Sequence, residues 1–415
     1  MYFCYMSPFN KVLIIGKVWP EPKSSAAGVR MMQLLTFFSS SDIHITFASP
    51  ANQSEFQANL ELLKVDCVSI ELNNDSFDEF TKELQPDLVI FDRFTTEEQF
   101  GWRVAMNNPL AVRILNTEDL HFLRDSRREA IKVGSNIDDS TIRTQVAMRE
   151  IASIQRCDLS LFVSSFEISL LKNHYSISEN RLQYLTIHSK KIANIPAFKE
   201  RSDFMFIGTF YHEPNWDAVK ILTKEIWPLI RQKLPNATLS IYGAYASQKI
   251  EDLHNESQGF LVKGRVEDSL EVTKQVKVSL SPLRFGAGIK GKHLEAMQCG
   301  TPVVTTEVGA EGMRVNDKWN GYIEDDYKHF AAKAILLHED VSEWEIAQNK
   351  GFDILDSKHN MIDFDRTFLE CLNGLKKTYE KIRKSSLEYN LFNYHSMKSS
   401  MYLSKWITEK NKTTH

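Results

Sequence analysis

The sequence has no run of about eighteen apolar residues, so no segment is expected to cross a membrane as a helix. It has five cysteines in 415 residues, an odd number with no CxxC pair. That argues against a disulfide framework and for reduced thiols in a cytosol. It has no large excess of either charge: the net is −4, and general affinity for nucleic acid is not expected. It has no low-complexity tract and no repeat at a solenoid period. Met1–Asn10 is somewhat apolar but too short and uncharged for a signal peptide, and reads as a ragged start before the first strand. What remains is a chain long enough for two or three domains, each with its own core.

What is present is an alternation of apolar runs and helical stretches. Lys11–Gly16 (KVLIIG) has the unbroken apolar character of a buried parallel strand, and a helix is expected to begin near Ala27 or Gly28. Further runs recur at His44–Ala48, Cys67–Ile70, Asp87–Phe91, Val112–Leu115 and Leu159–Phe162. Strands alternating with helices predict a parallel sheet covered on both faces. The first turn is not GxGxxG, which disfavours a dinucleotide-dependent dehydrogenase; ligands of such sheets sit at the carboxyl ends of the strands.

Three loops at such ends carry polar side chains. The first holds Ser24, Ser25 and Gly28, and the second Asp92 and Arg93. The third, LNTEDLHFLRDSRRE, holds Thr117, Glu118, Asp119, His121 and Arg124. A carboxylate beside an imidazole can bind sugar hydroxyls or handle a proton. The same residues also read as a plain helix start, with Thr117 or Asp119 as N-cap and His121 half-exposed. Ser164-Ser165-Phe166-Glu167 fits a capping box and calls for no functional role.

Ile187–Arg201 has no periodicity and contains Pro196. A linker is accordingly drawn at 191–202, between a first domain at 1–190 and a second at 203–374. Strands are expected at Phe204–Ile207, Thr238–Tyr242, Phe260–Val262, Val276–Leu280 and Pro302–Thr305, with a helix at Asn215–Trp227. Gly374 reads as a break before a polar helical extension, 375–415.

The most informative stretch runs from Val276 to Gly312. A strand is followed by a loop of Gly286, Ala287 and Gly288, then by an expected helix, Ile289–Cys299, ended by Gly300 and Pro302. Glycines let a ligand approach the backbone, and a helix start offers free N–H groups to a phosphate. Lys290 in the first helical turn is unfavourable unless an anion sits there. Glu295, about one and a half turns on, could hold a ribose. The plainer alternative is a strand–helix turn with a solvated lysine and a surface glutamate.

These pieces resemble the donor site of GT-B glycosyltransferases, family 4 of the retaining enzymes (group 1). The matching segments are GAGIKGKHLEAM, CGTPVV and GAEG, with FIGTFYHEPNWDAVKIL and FLVKGRVEDSLEVTKQVKVSLSPL ahead of them. The resemblance is strong over Phe204–Asp326 and loose before that. It implies two Rossmann-like α/β domains facing a cleft, with the last helix packing back on the first domain. It implies transfer of a sugar from a nucleotide-sugar to a glycan, lipid-linked or other conjugate acceptor, with no metal and no further cofactor. The expected setting is the cytoplasm, at the inner face of a membrane if a peripheral contact is made. Resemblance places Gly286, Ala287, Gly288, Ile289 and Lys290 around the diphosphate and Glu295 on the ribose. Thr209 would lie near the phosphates, and Arg284 would neutralise the leaving group. His121, with Asp119, would reach the reacting centre from the first domain, with Gly28, Asp92 and Arg93 on the acceptor side. The family's usual pair of glutamates eight positions apart is incomplete, since Ala287 stands where the first would be. Asp363-Phe364-Asp365 spells a metal motif but falls in a helical region and reads as chance. A non-hydrolysing nucleotide-sugar epimerase and a non-catalytic nucleotide-sugar-binding protein are the alternatives.

Overall fold

The computed structural model describes residues 7–41, 43–135 and 142–413. Two wholly parallel sheets account for the strands. The first has seven: β1 Lys11–Ile15, β2 His44–Ser49, β3 Val65–Ser69, β4 Leu88–Asp92, β5 Val112–Asn116, β6 Leu159–Phe162 and β7 Leu182–Tyr184, in the order β3-β2-β1-β4-β5-β6-β7. The second has six: β8 Ser202–Ile207, β9 Leu239–Tyr242, β10 Phe260–Gly264, β11 Val276–Ser281, β12 Val303–Thr305 and β13 Gly321–Ile323, in the order β10-β9-β8-β11-β12-β13. This is the pair of doubly wound α/β domains that the sequence predicts. β7 (LQY) and β13 (GYI), three residues each, lack the β-branched run that marks the equally short β12 (VVT).

Strand alternation explains how each sheet is buried on both faces. In β1, Val12 and Ile14 join one apolar cluster, and Leu13 and Ile15 join the other. Chain order reverses beside β1 and β8, so each sheet has a switch point where a crevice opens at the strand ends. The loops after β1, β4 and β5 meet those after β8 and β11 there.

The helix Met361–Ser385 leaves the second domain and completes the first. Phe364, Phe368, Leu372, Leu375 and Tyr379 belong to the cluster that holds Phe37 and Phe38, and the Phe37 and Phe368 rings lie 4.7 Å apart. Their three- and four-residue spacing is an uninterrupted helical stripe. The boundary drawn at 374 therefore falls inside a helix, and Gly374 marks no break; open space surrounds it. Asp363 and Asp365 flank the buried Phe364, away from the cleft. The segment just ahead of the expected linker is anchored to the first domain: Arg30 donates to the Leu185 and Thr186 carbonyls, and Gln33 exchanges hydrogen bonds with the His188 backbone.

Candidate active site

A cavity of about 660 Å³ lies between the two sheets. His121, Asp119, Arg93, Thr209, Gly286, Ala287, Ile289, Lys290 and Glu295 all line it, together with Ser24 and Ser25. Gly28, Asp92, Arg284 and Gly288 do not.

Each exception has a physical reason. Gly28 is a packing glycine: a Cβ there would lie 2.3 Å from the Glu21 carbonyl oxygen, so its smallness lets the Glu21–Pro22 loop close over the helix Ala26–Ser39. Asp92 is buried at the end of β4, where it accepts a long bond of 3.4 Å from Asn116. Arg284 turns away to a bidentate ion pair with Asp217, at 2.8 and 2.6 Å. Two of its N–H groups are engaged by that carboxylate, and the side chain does not line the cavity. Gly288 faces the other domain. A Cβ there would sit 3.0 Å from the Asp119 Cβ, and its φ of 63° is in any case a glycine conformation.

The second domain supplies cations. The helix begins at Gly291 rather than Ile289, so Lys290 precedes it as an extended N-cap residue. Its ammonium turns back to donate to the Gly288 carbonyl at 2.9 Å, and no described carboxylate forms an ion pair with it. Burial pulls its pKa down to about 8. Lys292, which no motif in the sequence marks, donates to Asn215 Oδ1 at 2.6 Å and lies over the Phe206 ring; burial brings its pKa to about 7. Two desolvated ammonium groups in a cleft stabilise an anion far more than solvated ones do. Glu295 shares this wall, with its pKa raised by burial and partly offset by a hydrogen bond from Ser269.

The first domain supplies an imidazole and a carboxylate held in place. The helix His121–Val133 has Leu120 as N-cap, and neither Thr117 nor Asp119 caps it. Its first N–H groups go instead to buried carboxylates from two other helices: Leu120 N donates to Glu167 at 3.0 Å, and His121 N and Phe122 N donate to Glu150 at 3.2 and 3.1 Å. Asp119 is thereby free to pair with Arg124 and to face His121 Nε2 at 3.4 Å. Burial opposes ionisation of Asp119, but Arg124 and His121 hold it below the usual carboxylate range. Burial lowers the His121 pKa to about 4, so its ring is neutral at pH 7. The Phe94 ring meets it edge-on at 5.2 Å. Glu118 also lines the cavity, bonded to Asn116 Nδ2 at 2.5 Å, with its pKa raised by burial.

Glu167 overturns the capping-box reading. Ser164 makes no side-chain cap, and Glu167 reaches out of its helix. One carboxylate oxygen accepts from Leu120 N in the first domain and from Gly288 N, at 2.8 Å, in the second. The other has no partner among the described residues. Nearby, Arg127 donates to the Gly286 carbonyl at 2.7 Å and forms a bidentate pair with Glu311. The motif glycines are contact points too: a Cβ on Gly291 would lie 2.6 Å from the Ala26 Cβ, and one on Gly312 would lie 2.3 Å from Ser164 Oγ. The glycine loop is therefore held on both sides, by Glu167 at an N–H and by Arg127 at a carbonyl. Among the described residues no group of three or more His, Cys, Asp or Glu side chains is placed to hold a metal ion.

Residues 201–340 match the family model described as Glycosyl transferases group 1. Solved structures share the two-domain GT-B fold. Anabaena HepE, solved with UDP and glucose, aligns with a TM-score of 0.64 at 13% identity, over 87% of this chain and 99% of its own. A glycosyltransferase from Rickettsia africae aligns with a TM-score of 0.66 at 11% identity, over 89% and 99%. Staphylococcus aureus TarM, solved with UDP, α-GlcNAc-glycerol and fondaparinux, aligns with a TM-score of 0.56 at 16% identity; the match spans 71% of this chain and 58% of that one. No curated protein matches the chain by sequence.

Proposed function

We propose that this chain is a retaining glycosyltransferase that moves a sugar from a nucleoside-diphosphate donor to a glycan, lipid-linked or other conjugate acceptor in the cytoplasm. The observation that carries this reading is Lys290: a buried ammonium with no carboxylate ion-pair partner among the described residues, beside a glycine loop, in a cleft between two Rossmann-like domains. Such a group is stabilised by a bound anion, and the departing nucleoside diphosphate is that anion. Lys290 and Lys292 lower the energy of the charge that develops as the glycosidic bond to phosphate breaks. The positive charge is the protein's own, and the proposed reaction calls for no metal or other cofactor. Glu295 holds the ribose hydroxyls. His121, neutral and anchored by Asp119, offers a hydrogen bond to the donor sugar from the opposite wall. Asp119 is already engaged by Arg124, so it orients rather than abstracts.

The test is nucleoside diphosphate release from a panel of UDP-, GDP-, ADP- and dTDP-sugars. UDP in the HepE and TarM complexes makes a UDP-sugar the first to try. Glu295→Gln is expected to raise the apparent donor constant roughly ten- to a hundredfold, the range for loss of a charged hydrogen-bond partner. A 2′-deoxy donor should lose part of its penalty in that variant; equal penalties in both proteins would take Glu295 off that hydroxyl.

His121→Ala separates the two walls of the cleft. Turnover is expected to fall by more than roughly tenfold while affinity for free nucleoside diphosphate is kept. Since the ring is already neutral at pH 5, the wild-type rate profile should show no inflection near 6.5 owing to this residue. Parallel loss of binding and turnover would assign His121 to the fold instead.

A further inference from the structure

The end of the chain is built with its polarity inverted. From Leu387 the chain runs helically to Thr413, with a π-helical turn at Phe392–Ser396. The side that meets the first domain buries Tyr389, Met397, Ser404 and Thr408. Much of that seam is polar: Arg103 Nη2 donates to Ser404 Oγ at 3.3 Å, and Thr408 Oγ1 donates to the Asn73 carbonyl at 2.6 Å. The large apolar side chains point outward. Leu387 is 67% exposed, Leu391 46%, Tyr394 60%, Tyr402 63%, Leu403 58% and Trp406 60%. The intervals between Leu387, Leu391, Tyr394, Lys398, Tyr402 and Trp406 are three or four residues, which puts them on one stripe. A buried polar seam under an exposed apolar stripe is the reverse of what folding alone selects, and exposed apolar patches of this kind mark interaction surfaces.

The charge is equally uneven. Gly374–His415 holds nine Lys and Arg against three Asp and Glu, within a chain whose net charge is −4. Lysines lie among the aromatics: the Lys398 ammonium sits 3.6 Å from the Tyr394 ring centre and that of Lys410 5.3 Å from the Trp406 ring centre. On the helix before it, Lys376, Lys377, Lys381 and Lys384 line a shallow groove.

We propose that this stripe docks the protein on an anionic lipid bilayer. Trp, Tyr and Leu enter the headgroup boundary, while lysines beside them keep their ammonium groups among lipid phosphates. The charge selects this partner over a second copy of the chain, because a symmetric dimer would set the same lysines against one another. No helix among the described residues is long and apolar enough to cross a membrane, so the contact is peripheral. The docking face belongs to the first domain, on which the proposed acceptor loops lie.

The experiment is co-sedimentation of the full-length protein with phosphatidylcholine vesicles, with or without phosphatidylglycerol. Sedimentation velocity of the same protein without lipid runs in parallel. Binding is expected with phosphatidylglycerol and lost in its absence or in high salt. Leu403→Ser with Trp406→Ser, and separately Lys398→Glu with the exposed Lys405→Glu of the same helix, should each reduce the bound fraction by about tenfold or more. These side chains point away from the core, and an unchanged melting temperature would show that both variants fold. Wild-type protein left in the supernatant with phosphatidylglycerol would overturn the proposal, as would variants that sediment like wild type. A lipid-free dimer that Trp406→Ser dissociates would overturn it in favour of self-association. Because sedimentation is read without turnover, the lipid contact and the transferase reading can fail separately.

Discussion

Lys290→Ala is expected to weaken nucleotide-sugar binding by about a hundredfold, the upper end for a charged hydrogen bond, because the ammonium is already desolvated before the donor arrives. The free nucleoside should bind almost as before. The variant should not unfold the domain. Burial has lowered the lysine pKa from its unfolded value to about 8, so the folded protein disfavours this charge, and its removal should leave the melting temperature unchanged or higher. The pH dependence follows in sign. Below pH 8 the ammonium is present and the donor binds. As pH rises through 8 the free protein loses that proton, so affinity falls unless the bound anion restores it. Wild-type affinity should therefore decline on the alkaline side, with proton uptake on binding measurable by calorimetry in buffers of different ionisation heat. Lys290→Ala should retain only the earlier decline due to Lys292, which titrates near 7. Unchanged donor affinity in the variant would take Lys290 off the diphosphate.

Glu167→Ala is the second large effect. It strands two buried N–H groups, Leu120 N and Gly288 N, each costing roughly 1–3 kcal/mol. The loss is expected both in melting temperature and in turnover, since those groups fix the loop bearing Asp119 and the glycine loop against each other. Glu167→Gln keeps an acceptor oxygen and should rescue most of both. The carboxyl pKa is raised by burial from its ordinary value to about 7, so its protonated form is the one the fold prefers. Its contribution is complete below about 4.5 and is lost as pH rises through 7. Glu167→Gln should flatten that part of the stability profile. If Glu167→Ala and Glu167→Gln are equally impaired, the hydrogen bonds are not what matters; if neither is, the two loops are held without this residue.

The parts of the site that are legible in the sequence are those whose signal is local. Gly286–Lys290 and Glu295 sit within one strand–loop–helix unit, and the glycines, the lysine and the terminating Gly300 all lie within a few turns. Lys292 was equally visible, but a second lysine on a helix resembles any solvated lysine until its burial is known. Glu167 was hidden by a competing local pattern. Ser-x-x-Glu at a helix start normally closes on itself, and nothing nearby shows that the carboxylate is needed 121 positions away at Gly288. Glu150 was hidden for the same reason, since it caps a helix that begins 29 residues earlier. Arg284 stands beside the motif, but its ion pair with Asp217, on another element, is invisible in that stretch. The two sheets were readable because apolar runs need no partner to be recognised. The break assigned to Gly374 failed because a glycine inside a helix costs only about 1 kcal/mol, which the buried stripe on either side outweighs.

The helix Met361–Ser385 also imposes an order on synthesis. The second domain is contiguous, and all the strands of its sheet have been made once Ile323 has emerged. The first domain is not, because the apolar cluster that includes Phe37 and Phe38 also takes in Phe364, Phe368, Leu372, Leu375 and Tyr379, more than three hundred positions later. The half of the protein that leaves the ribosome first is thus the half that is completed last. Through most of translation it must persist with part of its aromatic core still lacking its late partners, the condition in which partly folded chains are most prone to associate.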